Sequence, residues 1–160
     1  MVTTMKAAAT APTEAALRAL GAREHAACFA CRPVAQGGLG LVFVLQEDGA
    51  VRADWTCPAG GASYAGLVHG GLLATALDGA MVHALFARGI VARTGELTVR
   101  YLQPVRTDLA ASVTGQLDET YPPLFILRAE IRQSGVLCAR SRAKFVAVAS
   151  RTVATEAAGV

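Results

Sequence analysis

The chain has 160 residues, of which 53% are hydrophobic and 17% charged, and its formal net charge is +3. That length predicts one domain. The small charge and the lack of a basic stripe argue against nucleic acid, and without an unbroken apolar run of about 18 residues no membrane span is expected.

In chain order, residues 1–12 are rich in Ala and Thr and read as frayed. The leader Met1 to Ala16 holds a single Lys and no continuous apolar core of the kind a signal peptide carries, so a cytoplasmic location is expected. Thr13 to Leu20 predicts a short helix with Thr13 as its cap and Gly21 as its stop. Pro33 to Gly40 is a glycine-rich loop. Two strands are expected at Leu39–Leu45 and Val51–Thr56, joined by a hairpin at Asp48-Gly49, and Cys57 to Gly66 is read as loop.

From Gly70 to Arg88 the residues Leu72, Leu73, Leu77, Met81, Val82, Leu85 and Phe86 surround a helical axis almost completely. Such a helix is buried on most sides. Only strands follow: Glu96–Gln103, Ala110–Asp118, Leu124–Arg132 and Val136–Val148, with turns at Pro104, Tyr121-Pro-Pro123 and Gln133-Ser-Gly135. An α+β fold in which an antiparallel sheet wraps one long helix meets this order, and it gives the apolar excess an outlet. Residues 1–24 then form an extension with the short helix, 25–148 the domain, and 149–160 a loose tail.

Four cysteines, Cys28, Cys31, Cys57 and Cys138, are too few for a disulfide scaffold at this length. Cys28-Phe-Ala-Cys31 has zinc or redox spacing, but zinc needs a second pair, and Cys57 and Cys138 lie far apart with no His or Cys neighbour. These are read as buried or loop thiols, with no metal and no cofactor expected.

The chemistry concentrates in Gly66-Leu-Val-His-Gly-Gly-Leu-Leu-Ala-Thr-Ala-Leu-Asp78. Gly70 and Gly71 let a substrate approach the backbone, and the first amides of the helix lack intrahelical partners at its electropositive end. Such a turn suits the oxygen of a polarised carbonyl. Asp78, nine residues after His69, is a carboxylate among Leu, Ala, Met and Val and reads as a reagent. Burial should raise its pKa and the helix N-terminus should lower it; the sequence leaves that balance open. His83, five residues beyond Asp78, is off its face and reads as a packed or interfacial histidine. The basic side chains from Arg100 to Lys144 read mainly as solvated strand faces, and Trp55, Tyr64 and Phe86 mainly as packing residues.

Val-His-Gly-Gly-Leu with Asp78 in this register resembles the hotdog-fold acyl-CoA thioesterases of the phenylacetate-pathway and human thioesterase-superfamily type. Cys28-Phe-Ala-Cys31, Gly38-Leu-Gly-Leu41 and Thr94-Gly-Glu-Leu-Thr-Val-Arg-Tyr-Leu-Gln-Pro104 resemble family segments in the same order, so the likeness covers about residues 25–148. It implies Asp78 as general base or nucleophile, the Gly70 amide as oxyanion donor beside Gly71, and His69 as the residue that shapes the turn. Many members carry an Asn six residues before that histidine; Ser63 stands there and has the shorter reach. The polar residue members use after the helix falls on Thr94, Glu96 or Thr98. The resemblance further implies an acyl-CoA substrate and a homo-oligomer, a dimer or a dimer of dimers. A hydratase or dehydratase of acyl thioesters fits less well, because it would place its His in a proline-rich loop or beside its Asp. A non-catalytic acyl-CoA binder would have lost the carboxylate that Asp78 supplies.

Overall fold

The computed structural model describes residues 9–148, so most of the expected frayed start and the whole of the expected tail lie outside the described residues. Helix α1 (Glu14–Glu24) begins at Thr13, whose hydroxyl accepts from the Ala16 amide at 3.1 Å. It does not stop at Gly21. That residue is absent from the left-handed glycines and continues the helix to a cap at His25, whose N–H donates to Gly21 O at 3.1 Å. Gly21 lies within the helix beside His83, where a Cβ would make an ordinary contact with Nε2 at 3.8 Å.

Strands β1 (Val44–Leu45) and β2 (Val51–Trp55) form the expected hairpin. The expected first strand is shortened at its front. Leu39, Leu41 and Phe43 are buried in alternation, but Leu39 and Leu41 donate their amides to Phe29 O and Ala30 O rather than joining the sheet ladder. Two short strands pair with each other, β3 (Ala62–Tyr64) within the expected loop and β4 (Leu67–Val68) just beyond it. Then come α2 (Gly70–Phe86), β5 (Ala92–Tyr101), β6 (Ala111–Tyr121), β7 (Leu124–Gln133) and β8 (Val136–Ala147).

The main sheet runs β1-β2-β6-β7-β8-β5 with every pair antiparallel, and α2 packs across it against β6, β7, β5, β8 and β2. This is the hotdog fold. Leu77, Met81, Leu85 and Phe86 of the helix are fully buried with Val113, Leu127, Ile131 and Phe145 of the sheet. At about 1.5–3 kcal/mol for each large apolar side chain removed from water, this contact is the main source of stability. α2 closes in a Schellman motif: Gly89 takes φ +74, Gly89 N–H donates to Phe86 O at 2.9 Å and Ile90 N–H to Leu85 O at 3.1 Å. α1 lies along α2, tied at its start by the Thr13 amide to Ala87 O at 2.7 Å. No helix among the described residues is long and apolar enough to cross a membrane.

The helix sits close to the sheet because Gly115 of β6 has no side chain. A Cβ there would collide with the Ala80 backbone, which cannot rotate away as a side chain could. Gly115→Ala is therefore expected to destabilise the fold by at least about 1–3 kcal/mol in chemical denaturation. A variant as stable as the parent would show that helix and sheet separate freely.

Candidate active site

His69 caps α2. It holds φ −61 and ψ 129, and its Nδ1 accepts from the Gly71 amide at 2.9 Å. This removes the Gly71 N–H from substrate binding and fixes the remaining proton of a neutral His69 ring on Nε2. A Cβ at Gly71 would press on the capping His69 ring, 3.0 Å from Nδ1, so a larger residue there would have to displace the ring. The Gly70 amide donates to none of the described residues, as expected for the first position of a helix. The Gly70 carbonyl accepts from the Tyr101 hydroxyl at 2.9 Å, so the far end of β5 steadies the turn. Around it Ser63, Tyr64, Leu73, Tyr101 and Val105 line a groove of about 340 Å³.

Asp78 occupies a second hollow on the same side of α2, about 360 Å³, lined also by Ala74, Thr75, Thr94 and Leu97. Thr94 Oγ1 donates to Asp78 Oδ1 at 2.8 Å. Burial raises the Asp78 pKa above the ordinary carboxylate value, against the lowering effects of the Thr94 hydrogen bond and of nearby His25. The balance left open by the sequence thus falls on the side of burial: Asp78 sits halfway along α2, too far from its N-terminus for the end charge to dominate.

Of the three polar candidates on β5, the fold turns only Thr94 toward Asp78. The strand carries a bulge between Thr94 and Glu96. Thr94 pairs with buried Phe145, Glu96 with exposed Lys144, and Leu97 with buried Ala143, so Gly95 is the extra residue. In a regular strand Thr94 and Leu97, three residues apart, would point to opposite faces; the bulge turns both toward α2. Glu96 is not brought to the site. It lies on the outer face, ion-paired to Lys144 Nζ at 2.7 Å.

Among the basic side chains, Arg106, Arg128, Arg132, Arg142 and Lys144 pair with Asp108, Asp118, Glu130, Glu119 and Glu96. Trp55 and Phe86 are core residues, and only Tyr64 of the three aromatic candidates reaches a groove. His83 is buried and does not pair with Asp78; its Nδ1 lies 2.8 Å from Gly79 O. Sequence reasoning missed two neighbours of the site: Tyr101, read only as a strand residue, and His25, which carries no motif signal.

Comparisons with known proteins bear on the family and the fold. The family model described as "Thioesterase superfamily" matches residues 65–139, which include the His69 turn, α2, Asp78 and Thr94. A solved thioesterase superfamily protein is 27% identical with a TM-score of 0.65, covering 68% of this chain and 57% of its own. The chain therefore spans little more than half the length of that protein. The Escherichia coli PaaI protein from the phenylacetic acid degradation operon shares the fold at 18% identity and TM-score 0.72, over 85% of this chain and 96% of its own. A Streptococcus mutans protein bound to acetyl CoA shares it at 16% identity and TM-score 0.63, over 68% of this chain and 88% of its own. No curated protein gives a significant match. Residues 65–139 are similar to the thioesterase superfamily, the family whose resemblance was drawn from Val-His-Gly-Gly-Leu, and the PaaI protein shares the fold.

The Thr94 bond favours the ionised form of Asp78, so its loss should raise the carboxyl pKa further. Thr94→Val is expected to move the Asp78 titration, followed by carboxyl NMR, to higher pH. An unchanged or lowered midpoint would mean that the hydroxyl does not stabilise the carboxylate.

Proposed function

We propose that this protein hydrolyses the thioester of an acyl- or aryl-acyl-CoA at a site shared by two protomers, without a cofactor. The observation that carries the reading is Asp78: a half-buried carboxylate with a raised pKa, oriented by Thr94, on an open stripe of a largely buried helix. A thioester is already activated, because sulfur donates poorly to the carbonyl and a thiolate leaves readily. Two protein groups then suffice, a base or nucleophile and an oxyanion donor. Asp78 either draws a proton from the attacking water or attacks the carbonyl carbon itself. The Gly70 amide, the free donor of the turn, takes the developing oxyanion. Ser63 borders that end of the groove, where its hydroxyl holds water or substrate; Gly71 does not line it, its amide being bound to His69 Nδ1, and His69 acts by shaping the turn.

One chain cannot bring the two groups together. Eight residues of helix at about 1.5 Å each separate Gly70 from Asp78 by roughly 12 Å, whereas both must stand about 3 Å from the reacting carbonyl. β5 supports the solution. It is an edge strand paired only to β8, with Arg93, Thr94, Glu96, Thr98, Arg100 and Tyr101 exposed, and it runs beside both grooves. A bare ten-residue edge invites pairing. A two-fold partner there would set its antiparallel α2 against this one, so that Asp78 of one protomer faces Gly70 of the other at two equivalent sites. A dimer of such dimers is compatible with the same edge pairing.

Asp78→Asn is expected to lower acyl-CoA turnover by about two to four orders of magnitude with the fold retained; activity within threefold of the parent would remove Asp78 from the mechanism. The parent rate should rise with pH through a midpoint above the ordinary carboxylate range, since only ionised Asp78 acts, with His25 and Thr94 the groups facing it.

Complementation tests the shared site. Gly70→Pro removes the oxyanion amide at a helix position that tolerates proline, and His69 already has the extended backbone required before one. Mixed dimers of this chain with Asp78→Asn should regain activity through one intact site. If both variants fold and exchange subunits yet the mixture stays inactive, the two groups act within one chain.

A further inference from the structure

Behind Asp78, three side chains from three parts of the chain converge. His25 ends α1, Cys31 follows in the loop, and His83 lies on α2. Cys31 Sγ stands 3.7 Å from His25 Nδ1 and 3.6 Å from His83 Nε2, and the three atoms all lie within 4.8 Å of one another. A tetrahedral zinc with bonds of about 2.3 Å to sulfur and 2.0–2.1 Å to nitrogen sets S···N edges of roughly 3.5–3.6 Å. The observed separations are close to those edges.

The other ring nitrogen of His83 is held as well. Gly79 O can only accept, so His83 Nδ1 carries the proton and donates at 2.8 Å, leaving the Nε2 lone pair toward Cys31. Metal-bound histidines are held in this way. Phe43 stacks on His83 with ring centroids 4.6 Å apart, and Phe86 meets His25 and His83 edge-on at 4.9 and 5.3 Å, so the walls are apolar. Cys28, three residues before Cys31 on the same loop, acts on the Cys31 thiol and offers a fourth donor. One thiol proton can serve only one of the two imidazole nitrogens. A cation serves all of these atoms.

We propose that His25, Cys31 and His83, with Cys28 at the fourth position, form a structural zinc site that ties α1 and its loop to the central helix. Soft thiolate and borderline imidazole donors in tetrahedral array select zinc among the common divalent ions. Without an ion, burial pushes the Cys31 thiol up to about 12 and His83 down to about 4, so both are neutral near pH 7. Zinc displaces the Cys31 proton, and that of Cys28, to solvent and takes the thiolates as ligands. The spacing argument against zinc looked for a second local pair. The fold supplies it as two histidines, one before Cys28 and the other 52 residues beyond Cys31. His25 also acts on the Asp78 carboxylate, so activity would mix two effects and the test reads the metal instead.

The full chain, reduced and stripped with a chelator, is titrated anaerobically with cobalt(II). Expected are the intense visible bands of tetrahedral cobalt and a thiolate charge-transfer band, saturating at one ion per chain and bleached by zinc. Cys31→Ser should abolish the charge-transfer band or weaken binding more than the roughly 10–100-fold that loss of an outer-shell partner costs. His25→Gln, at the half-buried end of α1, should weaken it likewise, and Cys57→Ala should leave it unchanged. A parent protein with free thiols that gives no tetrahedral spectrum overturns the proposal without any variant. So does a spectrum that survives Cys31→Ser and His25→Gln intact.

Discussion

The structure depends on one constraint: α2 is too apolar to face water, and a six-stranded sheet has to curl around it. Leu73, Ala76, Leu77, Ala80, Met81, Ala84, Leu85 and Phe86 are all buried, and what stays open lies in the first part of the helix, at Gly70, Gly71, Leu72, Ala74, Thr75 and Asp78, with Gly70, Ala74 and Asp78 along one stripe. Close approach at Gly115 makes the wrap tight, and α1 covers part of what the sheet does not reach. The chemistry therefore has one place to be. The open stripe is also the side on which β5 ends the sheet, so the groups that must meet a substrate lie beside the edge that seeks a partner.

Placing a carboxylate on that stripe sets two demands against each other. Burial disfavours its charge, which weakens the fold at neutral pH but makes the group more basic than an exposed aspartate. The Thr94 hydroxyl restrains this effect and fixes the rotamer. The sign for stability follows: a carboxyl whose folded pKa is raised disfavours the folded state above that pKa, and the penalty fades as pH falls toward the unfolded value. Activity and stability at Asp78 thus run in opposite directions with pH, as expected where a residue is held for its chemistry.

The sequence made the large elements legible because they are governed by short-range pattern. All-round hydrophobicity over Gly70–Phe86 marked the buried helix, alternation marked β5 to β8, and Thr13 marked the start of α1. What escaped was set by tertiary contact. Gly21 carries a stop signal but continues a helix packed on His83. Leu39 to Phe43 alternates like a strand yet spends its amides on the Cys28–Cys31 loop side. At the site, Asp78 and the Gly70 turn were readable from one motif, whereas Thr94, Glu96 and Thr98 looked equivalent because strict alternation puts them on one face. A single extra residue at Gly95 separates them, and no periodicity marks it. The meeting of His25, Cys31 and His83 was hidden for the same reason: it joins residues that only the packing of α1 on α2 brings together.

The central claim is that the oxyanion donor and the carboxylate reach one carbonyl from different protomers. The most direct measurement is a crystal structure of the parent protein with an acyl-CoA analogue in which the thioester sulfur is replaced by a methylene. The account predicts a two-fold dimer joined along β5, with the analogue's carbonyl oxygen within hydrogen-bond reach of the Gly70 amide of one protomer and its carbonyl carbon facing Asp78 of the other. A bound analogue contacted by Gly70 and Asp78 of the same chain, or seated away from Asp78 altogether, would contradict it.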